Sequence, residues 1–110
     1  MHKMHLVEKY YNLIKSGKKT IELRLFDEKR KTIKIDDLIE FSSSSDPNDT
    51  LTTKVTRLYL ADNFSELCSV VDIRKTGFSN SNELQKTLEQ FYPRPMQNQF
   101  GVIGIEIQKI

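Results

Sequence analysis

A glycine followed by an alternating run constrains this chain more than any other stretch. The run is Gly17-Lys18-Lys19-Thr20-Ile21-Glu22-Leu23-Arg24-Leu25. Glycine is the residue that most readily ends a helix, and strand side chains point to opposite faces with period two. In a strand over Thr20–Leu25, Ile21, Leu23 and Leu25 therefore share an apolar face, which is expected to be buried. Thr20, Glu22 and Arg24 share the other. That second face sets a carboxylate and a guanidinium side by side, just after two ammonium groups. It reads either as a compact polar site carrying both signs of charge, or as a solvated strand face with an ion pair of little consequence.

The elements around this strand follow from periodicity. Met4–Leu6 fits a short first strand. Leu6, Tyr10, Leu13 and Ile14 recur at helical spacing through about Ser16, and Gly17 ends that helix. Phe26–Lys31 is a charged connection, and Thr32–Ile35 reads as a short extended piece with Ile33 and Ile35 inward. Asp36-Asp37 marks a turn. A strand over Leu38–Phe41 is followed by Ser42–Asp49, whose serines, Asp46-Pro47 and Asn48-Asp49 suggest a flexible hairpin loop. Leu51–Leu60, rich in Thr, Val and Tyr, is the longest strand candidate.

The second half begins with a capping box, Asn63-Phe64-Ser65-Glu66, which opens a short helix burying Phe64, Leu67, Cys68 and Val71. Ile73–Phe78 is irregular. Asn80-Ser81-Asn82-Glu83 repeats the capping pattern before a helix burying Leu84, Leu88 and Phe91, and Tyr92-Pro93-Arg94-Pro95 stops it. Phe100–Ile107 is an apolar strand with Ile103, Ile105 and Ile107 in phase. Val102 and Gly104 on its other face suggest burial on both sides. About five strands and three short helices without regular alternation argue against a doubly wound sheet. They predict an α+β, mainly β fold: a small, mostly antiparallel barrel flanked by helices.

Length and charge limit the function classes. The 110 residues form one expected domain, 1–110, with no internal repeat. No apolar run reaches the roughly 18 residues of a membrane span, and the start lacks a secretory signal. The single cysteine, Cys68, leaves no internal disulfide and fits a reducing compartment, so a cytoplasmic location is expected. Residues 1–34 hold ten Lys/Arg against four Asp/Glu, while residues 35–110 hold seven against eleven, which together return the overall +2. The basic first third points to an anionic partner. No cofactor motif is present. His2 and His5 lack the further ligands a metal site needs. Cys68 falls on a buried helix face and reads as core. Ser42–Ser45 has neither a base nor an elbow motif around it.

Taken with its surroundings, the central run resembles the G-x-K-x-x-E-x-R signature of the ASCH domain, the family of activating signal cointegrator 1 homology. Leu25-Phe26-Asp27-Glu28-Lys29-Arg30 is similar to an extension found in a bacterial branch. Ile33-Lys34-Ile35-Asp36-Asp37-Leu38-Ile39-Glu40-Phe41 resembles the family's next strand, with Asp36 where glycine is usual. Phe91-Tyr92 and Phe100–Ile105 resemble its closing segment. The resemblance runs from Met4 to about Ile107. It implies a PUA-like barrel with a cleft beside the signature strand, and binding of RNA or a nucleotide-like ligand by Lys18, Lys19, Glu22, Arg24, Lys29 and Arg30.

Each residue type suits that role. Lysines and Arg30 meet phosphates, and Arg24 offers a planar fork. Glu22 accepts from an exocyclic amine. Tyr10, Tyr11, Phe26 or Tyr92 offers a stacking face, with core packing the alternative for each, and the more natural one for Tyr10. A small hydrolase acting on RNA or on a modified nucleoside is the alternative, with Lys19 and Glu22 as catalytic residues. The amidohydrolase branch of the family carries Thr where this chain has Glu22, and a Glu in the segment that here reads Asp72–Phe78 without one. Its arrangement therefore does not carry over. A third reading is a regulatory module that meets a protein partner through the acidic second half.

Overall fold

The last strand of the chain is the one the sheet is built around. In the computed structural model, which describes residues 1–110, β1 is His2–Leu6, α1 Glu8–Lys15, β2 Ile21–Leu25, β3 Leu38–Ser43 and β4 Asp46–Ala61. Then come α2 at Phe64–Leu67, α3 at Ser81–Phe91, α4 at Arg94–Phe100 and β5 at Val102–Lys109. The sheet order is β1-β3-β4-β5-β2. Only β1 and β3 run parallel. The mixed sheet curls into a half-barrel, an α+β fold with β1 and β2 at its two open edges.

Two apolar layers hold it. Met4, Leu6, Tyr11, Ile14, Ile39, Phe41, Val55, Ile103 and Ile105 fill the concave side. Ile21, Leu23, Leu25, Phe64, Leu67, Phe78, Leu84 and Leu88 pack under the helices on the other side. β5 lies between them and is buried on both faces, as Val102 and Gly104 suggest. The capping boxes form as expected: the Asn63 side chain accepts from the Glu66 amide and Asn80 from that of Glu83.

Four expectations are corrected. Ser42–Asp49 is not one flexible loop, because both strands run into it and the turn is confined to Ser44-Ser45. Ser42 and Ser43 are buried there with hydroxyl partners, His5 and Ser45, so small polar residues can continue a strand. Ile35 points outward at 55% exposure. Arg30–Thr32 is a 3-10 turn, and Asp36 takes φ 76° in a tight turn, so this segment never joins the ladder. Phe91 is 52% exposed at the end of α3. Finally, Pro93 and Pro95 do not leave a loop but start α4, a fourth helix, since proline is tolerated in a first turn. Buried Gln97 anchors it, accepting from the Phe64 amide and donating to the Tyr92 carbonyl.

Candidate functional site

Cross-strand register decides where the polar face of β2 goes. Glu22 and Arg24 pair with Ile105 and Ile103 of β5, and directly paired residues share a face. Both polar side chains are therefore turned toward the concave side of the half-barrel, at its open seam. Glu22 is 5% exposed and Lys19 3%. The polar face is buried rather than solvated.

Buried charges need partners, and each of these has them. Arg24 Nε donates to Glu22 Oε2 at 2.9 Å. Glu22 Oε1 accepts from the Leu23 amide at 3.1 Å and lies 3.6 Å from Lys19 Nζ. Lys19 Nζ donates to the Thr76 carbonyl at 2.7 Å. Arg24 Nη2 donates to the His5 carbonyl at 3.1 Å, which joins the two open sheet edges. The Tyr92 phenol lies beside the same guanidinium.

Charge and burial compete at each group. Burial works to raise the Glu22 carboxyl, but the Arg24 and Lys19 charges and the hydrogen bonds outweigh it and hold it below the ordinary carboxylate range. Burial lowers the Lys19 ammonium, and Glu22 offsets that only in part. For Arg24, burial is overcome by Glu22 and Tyr92, and the guanidinium is held more firmly charged.

Above this floor is a cleft of about 150 Å³. Tyr10 and Phe78 form one wall, their ring centroids 5.8 Å apart, with Lys19 Nζ 5.7 Å and 5.8 Å from the two rings. Val7, Leu88, Phe91 and Tyr92 complete the rim. The Thr76 carbonyl is presented by a turn in which Gly77 has φ 86°. A Cβ there would lie 3.2 Å from Leu13 Cδ1 and 3.4 Å from Lys19 Cδ. A buried ion triad beneath aromatic walls can hold a flat ring by stacking and read its edge by hydrogen bonds.

Of the six residues read from the sequence, Lys19, Glu22 and Arg24 come together at the cleft floor. Lys18 and Lys29 are exposed away from it, and Arg30 is paired with Asp27 at 3.1 Å instead. Of the stacking candidates, Tyr10 and Tyr92 line the cleft. Tyr11 is buried with its hydroxyl on Asp49, and Phe26 packs on the concave core. Sequence reasoning missed Phe78, Leu88 and Phe91 as cleft walls, and the Thr76 carbonyl. Only the irregular Thr76-Gly77-Phe78 spacing hinted at them. The His5 carbonyl was missed too.

The ASCH domain family model matches residues 4–110. A hypothetical protein known from its crystal structure is 37% identical, with a TM-score of 0.85 over 98% of this chain and 97% of its own. A Pyrococcus furiosus protein solved in solution by NMR is 31% identical, with a TM-score of 0.76 over 99% and 96%. The crystal structure of ASCH from Zymomonas mobilis shares the fold at 13% identity, with a TM-score of 0.69 over 96% of this chain and 65% of its own. The search of curated proteins gave no match. With the signature strand forming the floor of the cleft and the family model spanning nearly the whole chain, this protein belongs to the ASCH domain family.

Proposed function

We propose that the cleft holds one unstacked base of a single-stranded RNA, or a nucleotide-like ligand. ASCH domains are PUA-like and are associated as a family with RNA binding. The observation that carries the reading is the buried Lys19–Glu22–Arg24 triad beneath the Tyr10, Phe78 and Tyr92 rings. The rings supply stacking, and Arg24 and Glu22 supply a donor and an acceptor within one small floor.

The test is titration of labelled single-stranded RNA with wild type, Arg24→Gln and Tyr92→Ala. Arg24→Gln should raise Kd at least ~10-fold, the equivalent of about 1.4 kcal/mol. Tyr92→Ala should lose the ~1–3 kcal/mol typical of one stacked base. Unchanged affinity in folded variants would refute the reading.

A hydrolase reading rests on the Lys19–Glu22 contact at 3.6 Å. Yet an efficient general base is poised near the working pH. Glu22 accepts from two donors, faces the Lys19 charge and is held low, which favours holding a ligand over taking its proton. Product from RNA or acylated nucleosides that vanishes in Glu22→Gln would reverse that preference.

A further inference from the structure

A second charged and aromatic cluster lies on the far side of the Ile73–Phe78 segment from the cleft. β4 carries a bulge between Val55 and Arg57. Val55 is buried in the concave core, so strict alternation would send Arg57 inward as well. The extra residue, Thr56, shifts the phase. Arg57 now pairs with Glu106, and Tyr59 with Gly104, on the convex face. There the Arg57 guanidinium lies 4.8 Å from the centroid of the Tyr59 ring. The Tyr59 hydroxyl donates to Glu106 Oε1 at 2.8 Å, which fixes the ring, and Lys75 Nζ donates to Glu106 Oε2 at 3.1 Å.

The cluster is joined to the cleft through one short turn. The Lys75 carbonyl accepts from the Thr20 amide at 2.8 Å, and the next carbonyl, of Thr76, accepts from Lys19 Nζ at 2.7 Å. Lys75 thus reaches the convex face while its neighbour holds the cleft floor. Arg74 on the same turn is 89% exposed, paired only with Asp72, and Arg57 and Lys75 are exposed as well. The Arg74–Asp72 pair, on an 89% exposed arginine, is weak and yields readily to a phosphate, while Lys75 is half-exposed above the more sheltered Glu106 and keeps donors free on its outer side.

We infer that Arg57, Arg74 and Lys75, with Tyr59 as a stacking face, form a track for the backbone of a single-stranded RNA whose base occupies the cleft. The inference rests on the cleft reading above. Its parts match what single-strand surfaces use: a line of cations that follows phosphates, beside an aromatic ring that accepts any base. Arg57 already shows the geometry, since a guanidinium stacked on a ring still presents its edge to a phosphate. The track also accounts for the phosphate contacts that Lys29 and Arg30, away from the cleft, do not supply.

The experiment compares wild type, the triple variant Arg57→Gln/Arg74→Gln/Lys75→Gln, and Arg24→Gln. Each is titrated at several salt concentrations with mononucleotides and with single-stranded RNA of about ten nucleotides, within the usual footprint of such domains. Circular dichroism confirms folding. The triple variant should bind mononucleotides as wild type does. It should bind the longer RNA ~10-fold more weakly, with a salt slope shallower by about 0.7 for each phosphate that is no longer neutralised. Wild-type affinity and slope in the triple variant, with weakened binding in Arg24→Gln, would overturn the track and leave the cleft reading standing. Weakened binding in the triple variant alone would refute the cleft reading, and with it the inference that these residues guide an RNA whose base sits there. No RNA binding by wild type would overturn both.

Discussion

The Arg24 guanidinium donates to the His5 carbonyl at 3.1 Å, across the seam between β2 and β1. These are the two edges the sheet leaves open. The same side chain grips Glu22 at 2.9 Å. One residue therefore closes the half-barrel at its seam and fixes the acid at the cleft floor.

Removing that guanidinium should be costly. In Arg24→Met, Glu22 stays buried with Lys19 as its remaining charged partner, and breaking a buried pair costs ~3–5 kcal/mol. Glu22→Gln/Arg24→Met together should cost less than the sum of the singles, because neither leaves the other's charge uncompensated. Denaturant midpoints of the four proteins measure the coupling. Additive losses would mean that the pair is not coupled in the folded protein.

Acid should act through Glu22. Its folded carboxyl is held below the ordinary range, so its stabilisation is fully present above the unfolded value, about 4.3. That contribution is lost as pH falls through the folded value. Wild type should therefore lose stability in this window more steeply than Glu22→Gln. Chemical denaturation at a series of acidic pH values gives both slopes, and equal slopes would contradict the depressed carboxyl.

Alkali should reveal Tyr11. Burial first, and then its bond to Asp49 at 2.8 Å, push its phenol up to about 12. Stability from a raised group is present below the unfolded value, near 10, and is lost as pH rises toward the folded one. Burial also raises Tyr10 and Tyr59, and spectrophotometric titration should show Tyr11 as the last phase, at about 12. Tyr11→Phe should abolish that phase.

Gly77 should not tolerate a side chain. Its φ of 86° and the 3.2 Å approach to Leu13 Cδ1 combine strain with a clash. Gly77→Ala should cost ~1–3 kcal/mol and weaken ligand binding, since the Thr76 carbonyl that holds Lys19 lies next to it. Thermal melts and the RNA titration check both effects.

Asp36→Gly should do the opposite. Asp36 has φ 76° and pairs only with exposed Lys54 at 3.3 Å. The left-handed penalty of ~1–2 kcal/mol for an L-residue exceeds the added entropy cost of glycine, ~0.5–1 kcal/mol. A small rise in thermal midpoint is expected, and a fall would show that the Asp36 carboxylate contributes more than the geometry suggests.

Much was legible where local rules act alone. The Gly17 stop, the Asn63 and Asn80 caps, and the alternation of β2 and β5 each depend on residues within a few positions of one another. The bulge in β4 left a trace as well. Leu51, Thr53 and Val55 are in phase at odd positions, Leu58 and Leu60 at even ones, and the slip between the sets marks Thr56. The exposure of Phe91 and Ile35 left none, because periodicity sees a face but not what stands opposite it.

By itself the sequence determined the family signature, most of the elements and a strand face that carries Glu22 and Arg24 just after Lys18 and Lys19, with Lys29 and Arg30 grouped beside them as equal candidates. Tertiary structure alone decided what they do together. Register with β5 turned Glu22 and Arg24 toward the concave side, the Thr76 turn laid a carbonyl against Lys19, and the seam brought His5 to Arg24. Those contacts span 19 and 57 positions of chain. No local pattern encodes them. They arise because burying one polar face obliges each charge to find its partner wherever packing places it.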